Sequence, residues 1–238
     1  MSYLSEIKDA LAANSVDCGD SIAEALDAYL TELLRVNEYM NLTAIRDPRD
    51  AAVKNIADCV LCARFLPENA RLLDVGSGAG LPAFPFAIVR PDVTVTALDS
   101  TGKKVNFISD TAKLLGLGNI TAVCGRAEEL AGKPDYREKF TAVSARAVAR
   151  MNILSELCLP FLSVGGVFIA MKSRLADEEL SEAMSCIRLL GGAKPEVSTF
   201  GLLGLPEASE RTVITIKKAA HTPPKYPRKY ALISSKPL

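Results

Sequence analysis

The stretch Leu72-Leu-Asp-Val-Gly-Ser-Gly-Ala-Gly-Leu-Pro82 places glycines at 76, 78 and 80 directly after an apolar run, with Asp74 two residues ahead of the first. Glycines at this spacing let the backbone come close to a polar ligand. A dinucleotide is one candidate, and its fingerprint is Gly-x-Gly-x-x-Gly, the third glycine permitting close packing of helix on strand. That third position is Leu81 here, so the match fails at one of three places. A pyrophosphate would gain nothing from Asp74, whereas a cationic ligand would. Two further acids follow later apolar runs: Asp99 closes "VTVTALD", just before Ser100, and Glu128 lies in "CGRAEEL". An acid ending the second strand can accept hydrogen bonds from both hydroxyls of a ribose. The chain lacks the pattern of a nucleophilic enzyme: its one histidine is His221, near the C-terminus, and no cysteine stands in a Cys/His constellation. Cys59 and Cys62 form a lone Cys-x-x-Cys inside a helical pattern, half of a typical zinc site, and no metal is expected.

These residues need a scaffold that brings strand ends together. From Arg71 onward, short apolar runs ("RLLDV", "VTVTALD", "ITAVC", "FTAVSA", "GGVFIAMK") alternate with helical stretches near 83–89, 102–116, 148–160 and 175–190. Strands apolar on both faces and separated by helices predict a doubly wound α/β domain with a mostly parallel sheet. The segment from about Glu196 through "RTVITIKK" adds one or two strands, which would suit an antiparallel hairpin at the sheet edge. The first 67 residues are helical in pattern: Ile22, Leu26, Tyr29, Leu30, Leu33 and Leu34 recur at three- and four-residue steps. Asp47 and Pro48 suit the cap and first turn of a further helix. The expected organisation is a helical extension over 1–67 packed on the core, a cofactor-binding domain over 68–220 and a basic tail over 221–238.

Net charge is zero over 238 residues, which argues against binding nucleic acid through the overall field. The charge is nevertheless polarised. Residues 1–36 carry seven acids against two bases, and residues 217–238 carry six bases and no acid. The tail is either a solvated terminus or an arm that contacts phosphates. The N-terminus has no basic run leading into an apolar stretch, and no apolar segment approaches membrane-spanning length, so a cytoplasmic protein is the expectation.

The Asp-x-Gly-x-Gly-x-Gly run resembles the first motif of S-adenosylmethionine-dependent methyltransferases of the class I, Rossmann-like fold. Taken with "NLTAIRDP", "LDSTGKKVNFI", "RAEEL", "RAVA", "AMKS" and "KYPRK", in this order, the chain resembles from about residue 20 onward the glucose-inhibited division protein B family, also called RsmG. The resemblance implies methylation of guanine N7 in the 530 loop of 16S rRNA. The donor would be S-adenosyl-L-methionine and the partner 16S rRNA, the small ribosomal subunit or an assembly intermediate; a monomer is expected. By position it assigns Asp74, Gly76, Gly78, Gly80, Leu81, Asp99, Ser100, Ala127, Glu128 and Arg146 to the cofactor. Arg126, Arg146 and Lys172 would position the substrate, with Asn41, Lys172, Lys225, Arg228 and Lys229 on RNA. The strand-end bases alternatively pair with Asp74, Asp99 or Glu128, and Asn41 alternatively ties the N-terminal helices to the core. A class I methyltransferase acting on another RNA or on a small molecule is the rival.

Some positions depart from the family pattern. Asn55 and Cys59 replace a histidine and a serine, Ala83 a glycine, Thr141 an aspartate and Ala145 a serine. Ala231 and Ile233 stand where the tail usually has glycine and proline.

Overall fold

The computed structural model describes residues 1–146, 148–172, 177–207 and 209–238. Ala147 of "RAVA", Ser173 of "AMKS" and the start of the helix expected over 175–190 lie outside the described residues.

Two helices, α1 (Leu4–Ala13) and α2 (Gly19–Met40), open the chain, and the stripe Leu26, Tyr29, Leu30, Leu33 and Leu34 is the buried side of α2. Asp47 caps α3 (Pro48–Ala51), accepting the Asp50 N–H at 2.8 Å, with Pro48 in the first turn where a missing N–H costs nothing. The helix runs on through a π-helical segment (Ala52–Ala57) into α4 (Asp58–Cys62). Beyond it come β1 (Arg71–Val75), α5 (Ala83–Val89), β2 (Thr94–Asp99), α6 (Gly102–Leu114), β3 (Ile120–Cys124), α7 (Ala127–Leu130), β4 (Phe140–Arg146), α8 (Met151–Cys158), β5 (Leu162–Lys172), α9 (Asp177–Leu189), β6 (Glu196–Leu202), β7 (Ser209–Lys217) and α10 (Tyr230–Ser235).

The seven strands lie in the order β3-β2-β1-β4-β5-β7-β6. β1 to β5 are parallel, and β7 runs antiparallel to both β5 and β6. The hairpin expected at the edge is therefore present, with its second strand on the inside. Side chains of a strand alternate between faces, and the two faces feed separate cores. Leu72, Ala142, Ile169 and Val213 pack with α1, α2 and the α3–α4 rod. Their neighbours Leu73, Val143, Ala170 and Ile214 pack with α8, α9 and the C-terminal segment. Burial of both faces is why these strands are apolar at consecutive positions rather than alternately.

The segment after β7 lies on the core. Arg137 donates to the carbonyls of Thr222 (2.8 Å) and Tyr226 (2.8 Å), and Arg228 grips the fully buried Glu156 through Nε (2.9 Å), Nη2 (2.7 Å) and its own backbone N–H (2.8 Å). Ala231 and Ile233 fall within α10, where glycine and proline would weaken a helix, and Ile233 is fully buried. The tail's formal charge thus overstates its free charge. Lys218 is also buried, its Nζ donating to the Leu159 carbonyl at 2.6 Å.

Candidate active site

Strand order reverses between β1 and β4, and in open α/β sheets ligands bind outside the carboxyl ends of the strands at such a point. Two cavities open on this edge, one on each side of the reversal. Two larger cavities lie against α1 and α2, away from these strand ends.

The first cavity, of about 230 Å³, is bordered by the ends of β1, β2 and β3 and the turns beyond them, through Gly76, Asp99, Ser100, Arg126, Ala127 and Glu128. Val148 and Tyr230 complete its lining from later in the chain. A Cβ at Gly76 would stand 2.8 Å from Val148 Cγ2, and its φ of +74° disfavours any side chain. Gly80 is required for a different reason. A Cβ there would meet the Phe84 ring at 2.4 Å, so this glycine makes room for α5 rather than for a ligand. Gly78, Gly80 and Leu81 shape the loop without lining the cavity.

Asp99 holds the loop to the end of β2. Its Oδ2 accepts the Gly78 N–H at 2.9 Å and its Oδ1 the Thr101 N–H at 2.8 Å. Each oxygen keeps a lone pair, so the carboxylate can still accept two ribose hydroxyls. Ala127 opens α7, where its amide has no intrahelical acceptor. With the Glu128 carboxylate in the same wall, this donor–acceptor pair fits the edge of an adenine. The cavity therefore suits an adenosine-bearing cofactor.

Asp74 is elsewhere. It is buried beneath the loop, accepting from the hydroxyls of Ser144 (2.7 Å) and Ser77. Burial pushes its carboxyl up to about 6, and the two serine hydroxyls oppose that shift. Its direct role is to hold β1, β4 and the loop together.

The second cavity, of about 180 Å³, lies at the ends of β4 and β5 and the start of β7, lined by Asp58, Cys62, Arg146, Met171, Lys172, Arg211, Thr212 and Val213. Asp58 bridges two arginines: Oδ1 lies 3.2 Å from Arg211 Nε and Oδ2 lies 3.5 Å from Arg146 Nη2. Burial raises the Asp58 carboxyl, and both guanidinium groups oppose it. Arg146 also donates to the Lys54 carbonyl (2.6 Å), within the π-helical segment, and to Cys59 Sγ (3.4 Å). π-Helical turns occur frequently at functional sites. Burial pushes the Cys59 thiol up to about 12, which keeps it protonated and unreactive at neutral pH. Lys172 pairs with Glu179 at 2.6 Å and donates to the Ala149 carbonyl.

Of the residues assigned from sequence, Arg126 thus borders the first cavity, and Arg146 and Lys172 the second. Asn41 is the exposed, left-handed C-cap of α2, and it is the buried Asn37 that accepts the Thr43 N–H and ties this turn. Lys225 lies over the Tyr226 ring, Lys229 precedes α10 and is exposed, and Arg228 is taken up by Glu156. His221 pairs with Glu138 and lines neither cavity. Sequence reasoning missed Asp58, Ser144, Arg211 and Tyr230 as site residues. Arg211 carries no local signal, and Tyr230 was hidden in a segment defined by its charge.

A family model described as GidB, rRNA small subunit methyltransferase G, matches residues 22–202. The chain belongs to the GidB family. Relatives named ribosomal RNA small subunit methyltransferase G extend the match to nearly the whole chain. One from Lactobacillus delbrueckii subsp. bulgaricus is 47% identical over 215 residues, 88% of this chain and 89% of its own. One from Desulforamulus reducens is 40% identical over 235 residues, 98% of this chain and 97% of its own. Among solved structures, a precorrin-6y C5,15-methyltransferase from Geobacter metallireducens aligns with TM-score 0.53 at 20% identity, covering 75% of this GidB chain and 91% of its own. M. jannaschii TYW2 in complex with AdoMet aligns with TM-score 0.55 at 16% identity, covering 69% and 76%. These two likenesses concern the fold.

Proposed function

We propose that the chain transfers a methyl group from S-adenosylmethionine to N7 of a guanine in the 530 loop of 16S rRNA. GidB-family membership makes it an S-adenosylmethionine-dependent methyltransferase of small-subunit rRNA. The guanine, its N7 and the residue roles are the proposal. The observation that carries the proposal is the pair of cavities on one sheet edge, the first suited to adenosine and the second lined by Arg146, Lys172 and Arg211, with Asp58 between the arginines and Glu179 on Lys172.

When bound, the cofactor supplies an electrophilic methyl group on a sulfonium centre. Asp99 would accept from the ribose hydroxyls, and the Ala127 amide with the Glu128 carboxylate would hold the adenine. On the substrate side, guanine N7 has a free lone pair and no proton, so no general base has to create the nucleophile. The second cavity is furnished accordingly with cations and no histidine. A guanidinium on O6 would leave N7 open to attack, and Lys172 suits a phosphate. Holding N7 in line supplies the acceleration, as expected where positioning replaces proton transfer. Arg126, Lys225 and Lys229 are exposed and would be available to RNA. With net charge zero, affinity for naked RNA is expected to be weak, so the substrate would be a ribosomal particle met by a monomer in the cytoplasm. No described helix is long and apolar enough to cross a membrane.

The test is incubation of the protein with methyl-labelled S-adenosylmethionine and small subunits from cells lacking this gene, followed by mapping of the label. One N7-methylated guanine in the 530 loop supports the proposal. Cofactor binding with no transfer to the particle would favour the rival, a different RNA or a small molecule.

A further inference from the structure

The wall of the first cavity farthest along the chain is Tyr230, the only aromatic among its described lining residues. The residue is 42% exposed, yet its backbone is held on both sides. Two positions before it, Arg228 is locked to buried Glu156; three positions after it, Ile233 is fully buried. Arg228 Nη1 also donates to the Lys236 carbonyl at 3.0 Å, closing the segment on itself. An exposed ring on so constrained a backbone offers a preset face at little entropic cost. Arg126 lies over that ring at 5.9 Å from its centroid and is 3.8 Å from Glu128, so ring, guanidinium and carboxylate border one cavity.

We infer that the C-terminal segment is a strap over the cofactor cleft and that Tyr230 holds the adenine end of the cofactor there by stacking. This rests on the assignment of the cleft to S-adenosylmethionine. Apart from the Arg126 guanidinium, the other walls include Gly76, Asp99 and Glu128 with the aliphatic Leu98, Val148 and Leu157. They supply hydrogen bonds and apolar contact but no π-face, and a purine gains most from one.

The test measures binding of S-adenosylhomocysteine and of 5′-methylthioadenosine, which lacks the amino acid, to the full chain and to Tyr230→Ala and Tyr230→Phe. Tyr230→Ala is expected to weaken both ligands about tenfold, the order found on removing one base–aromatic stack. Tyr230→Phe is expected to bind like the parent. A measurement on the unaltered protein guards against misfolding of the alanine variant. Nitration of Tyr230 by tetranitromethane, followed by mass spectrometry, should be suppressed by S-adenosylhomocysteine. Unchanged affinity in Tyr230→Ala, or nitration indifferent to the ligand, overturns the inference while leaving the cofactor assignment standing. Unchanged cofactor affinity with a raised KM for ribosomal particles also overturns it, by putting the ring on RNA. Failure of the parent protein to bind either ligand overturns the cofactor assignment itself and the inference with it.

Discussion

Tyr29 Oη donates to the carbonyl oxygen of Ala79 at 3.0 Å, while the Tyr29 ring stacks on Phe84 with centroids 4.6 Å apart. A residue of the second N-terminal helix therefore supports the glycine loop, which couples α2 to the shape of that loop. Tyr29→Phe keeps the stack and strips the buried Ala79 carbonyl of its donor. Leaving a buried acceptor unsatisfied costs about 1–3 kcal/mol. The expected outcome is a lower thermal midpoint together with weaker S-adenosylhomocysteine binding. A loss of stability with unchanged ligand affinity would mean that the loop holds its shape without α2.

Asp58 neutralises part of the charge of Arg146 and Arg211 from a buried position. Asp58→Asn removes that charge and lets the two guanidinium groups repel each other. Breaking a buried pair costs about 3–5 kcal/mol. Methyl transfer is expected to fall by roughly two orders of magnitude, the scale of a misplaced catalytic geometry. Cofactor affinity should remain close to that of the parent, because Asp58 does not line the first cavity. Single-turnover transfer and a binding titration on the same preparation separate the two effects.

The pH dependence of stability tests the burial of Asp74. Its carboxyl is raised from an unfolded value near 3.8 to about 6, so between these limits the folded state binds more protons than the unfolded one. Stability contributed by this group is thus present below the lower value and is lost as pH rises through 6. Asp74→Asn has no such titration. The difference in urea midpoint between parent and variant should shift in the variant's favour from pH 4 to pH 7, and a difference independent of pH would sink the assignment.

Glu156→Gln leaves Arg228 without its carboxylate and releases the strap. Trypsin should cut at Lys225 and Lys229 at least tenfold faster than in the parent, with the rest of the chain resisting. An unchanged cleavage pattern would show that Ile233 and the Arg137 contacts suffice to hold the segment.

The class of fold and one half of the candidate site were legible in the sequence because they are local. Apolar runs alternating with helical stretches specify a sheet covered on both faces, and the glycine loop, Asp99 and Glu128 each sit within a few residues of a strand end. A strand's carboxyl edge is knowable from the strand alone, so the order of residues along the chain suffices to put these three on one rim. The other half depends on which surfaces dock. Asp58, Arg146 and Arg211 are separated by long stretches of chain and meet only because the α3–α4 rod packs on the sheet where β4 and β5 end and β7 begins. Asp74 illustrates the same limit at short range: its motif implied a charge facing the ligand, whereas the hydroxyls of Ser77 and Ser144 enclose it beneath the loop. In the tail, composition indicated six bases and no acid, yet Glu156, 72 residues earlier, takes up Arg228 and turns the segment onto the cleft. Periodicity and motif report what a residue prefers along its own element. Which charge neutralises it, and whether it faces a ligand or the core, is set by neighbours from elsewhere in the chain and is decided only when the elements pack.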